Sequence, residues 1–157
     1  MLSFKDLQGN TVRLAFEEMR FSLNPKHVWV ICRYQNKWLV TNHRTRGLEF
    51  PGGKVEADES VTEAAYREVK EETGASVETL TFIGQYEVLF EQQSIVKNIY
   101  FASIKSLENQ ASYFETEGPM LLSELPTDIR TDKRFSFIMK DDVLTYSLEK
   151  LAEKQLV

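Results

Sequence analysis

Three carboxylates, Glu68, Glu71 and Glu72, stand at i, i+3 and i+4 just ahead of Gly74, a spacing that puts all three on one face of a helix. A plain surface helix avoids this arrangement. Like charges one turn apart cost about 0.2–0.5 kcal/mol per pair, and anions near a helix C-terminus also oppose the macrodipole. Two local rules broken at one place mark a functional site, and divalent cations would turn the repelling charges into ligands. The fold must therefore hold a helix whose acidic face looks onto something positively charged.

Reading outward, Gly53 is followed after five residues by Glu59, and after seven more by Arg67-Glu68-Val69-Lys70-Glu71-Glu72-Thr73-Gly74-Ala75. This segment resembles the Nudix box, with every fixed position filled and only Ala75 smaller than the usual apolar residue. Agreement at so many positions over one short stretch is far more specific than a lone glycine motif. The resemblance implies a single Nudix hydrolase domain over residues 1–157, of α/β class, with a mixed sheet sandwiched between helices (α/β/α).

A chain of 157 residues with 42% hydrophobic and 27% charged residues is ordinary for one globular domain. No stretch approaches the roughly 18 apolar residues of a membrane span, and the start lacks a basic region followed by an apolar run. The expectation is a cytoplasmic protein with no membrane partner. Cys32, the one cysteine, lies in the apolar run Val28-Trp29-Val30-Ile31-Cys32 and reads as a buried structural thiol. Between Gly52 and Ala75 seven acids face three bases, so that segment holds −4 of the total charge of −5. The near-neutral remainder has no basic stripe for duplex DNA, and a polyphosphate meeting the acidic helix needs metal ions in between.

Local patterns place the motif. Thr11 to Phe16 alternates as a strand after a turn at Gln8-Gly9-Asn10, and His27 to Arg33 reads as a strand buried on both faces. Lys37 to Asn42 returns antiparallel across Gln35-Asn36. The box opens as a glycine loop after Phe50-Pro51, Ser60-Val61-Thr62-Glu63 has the form of a capping box, and Gly74 fits a helix stop. The helix so bounded has about 13 residues, about 20 Å, with Val61, Ala64, Ala65 and Val69 toward the core. Strands are expected over Leu80–Phe90 and Ile95–Ile104, then a loop over Phe114–Pro119, then a helix carrying Val143, Leu144, Leu148 and Leu151.

The resemblance also assigns roles. It implies hydrolysis of a phosphoanhydride by water with Mg²⁺, or alternatively Mn²⁺, held by Glu68, Glu71, Glu72 and the Gly53 carbonyl. An all-oxygen donor set without nearby Cys or His suits such hard cations. Arg67 is expected to orient the carboxylates and Glu59 to hold the loop against the helix. The proton is taken by a box glutamate, Glu71 among them, or by an acid on a later loop, where Glu115 is preferred to Glu117. Arg44 and Arg46 are within reach of substrate phosphates or are plain surface arginines, and His27 and His43 read as structural or solvent-facing.

The run Leu48-Glu49-Phe50-Pro51-Gly52-Gly53-Lys54 looks like the MutT branch of the family, and the whole chain is similar to 8-oxo-dGTP diphosphatases of the YtkD type found in spore-forming bacteria. This implies a nucleoside triphosphate substrate, 8-oxo-dGTP and related purines, or alternatively RNA 5′ ends. A Nudix-like module that senses a nucleotide without cleaving it is the competing class; such modules usually lack a box glutamate, and none is missing here. Phe50, Phe137 and Met139 are candidates for apolar contact with a base. Asp141 or Asp142 is the candidate for reading its edge, against a plain helix N-cap role. The proline expected past the box in ADP-ribose hydrolases is absent around Val88–Glu91. Oligomeric state has no signature in the chain.

Overall fold

The apolar run from His27 forms the spine of the molecule, because a strand whose two faces are both hydrophobic needs cover on each side. The computed structural model describes residues 1–157. Its elements run β1 (Leu2–Lys5), β2 (Thr11–Ala15), β3 (His27–Tyr34), β4 (Lys37–His43), β5 (Gly47–Glu49), β6 (Gly52–Lys54), α1 (Val61–Thr73), β7 (Ala75–Phe90), β8 (Gln93–Leu107), β9 (Thr116–Leu122) and α2 (Asp142–Glu153). The strands form one mixed sheet in the order β1-β2-β7-β8-β3-β4-β5, with β6 paired to β3 and β9 to β4. Every pairing is antiparallel except β3 with β8.

Side-chain alternation along β3 sorts two cores. Val28, Val30 and Cys32 join Ala64, Ala65 and Val69 of α1. Trp29 and Ile31 join Phe50, Met139, Val143, Leu144 and Leu151 under α2. The sheet thus lies between the two helices, as the resemblance implied. No helix is long and apolar enough to cross a membrane.

Helix α1 keeps the bounds read from its caps. Ser60 Oγ accepts from the Glu63 amide at 3.1 Å while Glu63 Oε1 accepts from the Ser60 amide at 3.0 Å. Gly74 closes the helix at φ 78°, a left-handed conformation suited to glycine, and donates to the Lys70 carbonyl at 2.9 Å. The β3–β4 turn likewise sits at Gln35-Asn36, both with positive φ (50° and 63°), as a tight hairpin turn requires.

Three expectations need correction. The box glycines are strand β6 rather than a loop, because their backbone pairs with His27, Val28 and Trp29. The segment expected as a loop from Phe114 to Pro119 becomes strand β9 from Thr116, since β4 has a free edge there to pair with. The strand expected from Leu80 starts at Ala75, directly after Gly74, and its partner runs on to Leu107. The flanking polar residues hid both extensions.

Candidate active site

Strand β3 pairs with β6 at its start and with β4 at its end, and the site lies where the two partners part. A cavity of about 830 Å³ opens there, lined from α1 by Arg67, Glu68, Glu71 and Glu72 and from the strands by His27, Trp29, Phe50, Gly52, Gly53, Lys54 and Lys97. Glu115, just before β9, also faces it.

Arg67 organises the acidic wall. Its Nε and Nη2 hold Glu59 in a two-pronged pair at 2.6 and 2.9 Å, Nη2 also donates to the Lys54 carbonyl at 2.9 Å, and Nη1 reaches Glu68 at 2.8 Å and Glu71 at 3.3 Å. One guanidinium therefore ties β6, the following loop and the helix together, which matches the fork geometry only arginine offers. Glu59 closes the loop further by accepting from the Glu56 amide at 3.0 Å. Its carboxyl is held below the ordinary range chiefly by Arg67.

Glu72 takes another route. It is 6% exposed, its Oε1 accepts from the Gly52 amide at 2.9 Å, and its own carbonyl lies 2.8 and 3.3 Å from the hydroxyls of Thr41 and Thr116, which are themselves 2.7 Å apart. The C-terminal end of α1 is thereby fastened to β4 and β9. Burial lifts the Glu72 carboxyl to about 8, and burial lifts Glu68 to about 7 against the pull of Arg67. These carboxylates are desolvated without a full complement of positive charge, the condition a bound cation relieves.

No three of the acids converge tightly enough to make a finished metal cage; Arg67 and the Gly52 amide draw them to separate positions. The donor set nevertheless fits Mg²⁺ or Mn²⁺. It is all oxygen, and a Cβ on Gly53 would sit 2.5 Å from Glu68 Oε1, so glycine leaves the Glu68 carboxylate its place against the β6 backbone.

The other candidates divide. Phe50 lines the cavity while itself fully buried, packed edge-on to Trp29 and Trp38 at 5.8 and 6.0 Å. Arg46 lines it too, but is clamped by Glu49 at 2.9 and 3.0 Å, so it is not a free phosphate ligand. Arg44 lies outside the lining because the β4–β5 turn carries it away. Met139 is fully buried in the core beneath α2 and faces neither cavity, and Asp142 pairs with Arg130. Phe137, half exposed, lines both cavities, as expected of it. Glu117 does not line the cavity, leaving Glu115 as the loop acid that does.

A second cavity of about 420 Å³ adjoins the first, sharing Lys97, Phe137 and Ile138 and walled by Tyr86, Val88, Phe90, Ile95, Asp6 and Asp141. Asp141 is both the α2 N-cap, accepting from the Val143 amide at 2.9 Å, and a cavity residue. Burial raises its carboxyl to about 6. Lys97, Trp29 and His27 escaped the reading of the sequence as site residues. Their signal was the register of β3 against β6 and β8, which no local pattern carries.

A model of the NUDIX domain family matches residues 21–134. The chain is 61% identical over 153 residues, 98% of its length and 97% of the relative's, to Bacillus subtilis YtkD, a protein ascribed 8-oxo-dGTP diphosphatase activity. It superposes on a crystal structure of the Bacillus subtilis pyrophosphohydrolase BsRppH with a TM-score of 0.97 at 60% identity, over 98% of each chain. A NUDIX hydrolase from Nitrosomonas europaea shares the fold, with a TM-score of 0.66 at 19% identity over 83% of this chain and 90% of that one.

Proposed function

This chain belongs to the Nudix hydrolase family, and within it we propose a Mg²⁺-dependent nucleoside triphosphate pyrophosphohydrolase of the cytoplasm that cleaves guanine nucleotides, 8-oxo-dGTP among them, to the monophosphate and pyrophosphate. One observation carries the reading. The acidic face of α1 looks into a cavity that continues, past Lys97, Phe137 and Ile138, into a second one with apolar walls and the carboxylates of Asp6, Glu91 and Asp141. The first suits a polyphosphate, the second a flat base.

Glu68, Glu71, Glu72 and the Gly53 carbonyl would hold the cation, whose contribution when bound is to offset phosphate charge and acidify water. The protein's own residues do the rest. Arg67 fixes where Glu68 and Glu71 point. Glu115 and Glu71 both line the cavity, which supports a role for either as acceptor of the proton of the attacking water. In the second cavity the Asp141 carboxylate, an acceptor only when ionised, suits the N1–H and 2-amino donors of guanine and not the acceptor N1 of adenine. Guanine and 8-oxoguanine share that edge, so this contact favours both over adenine.

RNA 5′-triphosphate ends are a second reading, favoured because two adjoining cavities offer room for more than one nucleotide. The same comparison tests both: kcat/KM for 8-oxo-dGTP, dGTP, dATP, ADP-ribose and a triphosphorylated oligonucleotide, side by side with Mg²⁺ and with chelator. Release of pyrophosphate from guanine nucleotides, abolished by chelator, is expected. Preference for ADP-ribose, or turnover that survives chelation, would overturn the proposal.

A further inference from the structure

Five basic side chains line the larger cavity: His27, Arg46, Lys54, Arg67 and Lys97. They are not equivalent. Arg46 is neutralised by Glu49, and Arg67 by Glu59, Glu68 and Glu71. Lys54 and Lys97 have no carboxylate within ion-pair distance and no side-chain hydrogen bond; the Lys97 ammonium lies over the face of Tyr86, 5.9 Å from the ring centre. His27 Nδ1 is buried without a partner.

These three residues are aligned by strand register. His27 stands directly opposite Lys54 across the β3–β6 pairing and directly opposite Lys97 across the β3–β8 pairing, so they form one row over three adjacent strands, with steps of about 4.8 Å. Like charges so placed repel, and burial with both flanking ammonium groups lowers the pKa of His27. The row is then two lysine amines either side of an imidazole that can donate a hydrogen bond. No carboxylate forms an ion pair with either lysine, although Glu49 and Asp141 act on Lys97 from beyond that distance, and the row faces the space where the substrate would lie.

We propose that His27, Lys54 and Lys97 form an anion seat for the phosphate nearest the nucleoside, the one retained in the monophosphate product. The division follows from the two walls, and rests on the hydrolase reading given above. Phosphates at the acidic wall are tolerated only through cations, whereas a phosphate at the basic row binds side chains directly. Lys97 lines both cavities, so the seat lies between the polyphosphate groove and the proposed base cavity, where a nucleotide's first phosphate must fall.

The seat is tested without metal. In chelator, calorimetric titration of the intact protein with guanosine and with GMP separates phosphate recognition from base recognition. GMP is expected to bind tighter than guanosine by roughly tenfold or more, as direct charge-assisted contacts to two cations imply. In Lys97→Met this advantage shrinks at least severalfold while guanosine binding stays as in the unsubstituted protein. Lys97→Arg keeps most of it, and Lys54→Met loses part of it. The inference is overturned if the unsubstituted protein binds GMP no better than guanosine or binds neither. It is equally overturned if Lys97→Met weakens both ligands in proportion, since Lys97 would then only shape the cavity. Absence of triphosphate hydrolysis with Mg²⁺ would instead sink the hydrolase reading, a result read from a separate assay.

Discussion

The two walls of the larger cavity are built in opposite ways. The acidic wall comes from one short stretch, Glu59 to Glu72, and a single guanidinium cross-links it. The basic row is drawn from positions 27, 54 and 97, on three strands that meet only when the sheet has formed. One wall is local and internally braced; the other is assembled by register and left without partners. Charge that the protein satisfies itself serves to hold geometry, and charge it leaves open is available to a ligand.

The contrast is broken most sharply on the acidic side. Glu71→Gln is expected to lower kcat by roughly a hundredfold or more, the scale of losing a catalytic charge at a metal site, with an unchanged circular dichroism spectrum. Glu72→Gln should cost turnover comparably, yet leave the melting temperature in chelator at pH 9 equal or higher, because the amide still accepts from Gly52 and a carboxyl that burial disfavours when ionised is gone. Normal turnover in both variants would remove the carboxylates from the chemistry.

Arg67→Lys tests the brace. A lysine has no fork to hold Glu59 and Glu68 together, so kcat should drop by about tenfold with little change in KM, and metal affinity should weaken. Retention of full activity would show that the brace is dispensable.

Asp141→Asn sharpens the comparison through stability. The Asp141 carboxyl lies at about 6 in the fold, above its ordinary value. Its proton is therefore bound more tightly folded than unfolded, so the fold is favoured at acidic pH and loses that contribution as pH rises toward 6. Asparagine keeps the cap to Val143 but does not titrate. Denaturant melts at pH 4 and pH 7 should show the parent losing on the order of 1–2 kcal/mol more than the variant between the two. Identical pH dependence would refute the burial of this carboxyl.

The smallest effect concerns Cys32, fully buried and with its thiol pushed far up by burial. A thiol reagent at pH 8 should not modify it until the protein unfolds. Rapid labelling of the native state would contradict the packing of β3 against α1.

The difference between the walls also explains what was legible in the sequence. Helix α1, its caps and its acids were readable because every determinant lies within a few residues of the next. The two-faced burial of β3 and the position of α2 followed from hydrophobic period in the same way. Strand β9 was not readable, since Thr116-Glu117-Gly118-Pro119 has turn-like composition and pairs only because β4 offers an edge. Arg46 could be read as a phosphate contact or a surface arginine, and its pairing with Glu49, three residues on, was not visible in the chain. Of the two candidates Phe137 and Met139 only the first reaches the cavity, because a 3₁₀ turn over Phe137–Met139 rotates it outward and Met139 into the core. His27 and Lys97 are distant in the chain, and only pairing makes them neighbours.

Gly74 is all that separates α1 from β7, and the Thr41 and Thr116 hydroxyls clasp the carbonyl of Glu72 two residues earlier. A helix anchored so close to its end has no slack with which to swing toward an incoming molecule. Adjustment to ligands of different bulk therefore falls to side chains such as Phe114 and Phe137, whose exposed rings line the same cavity.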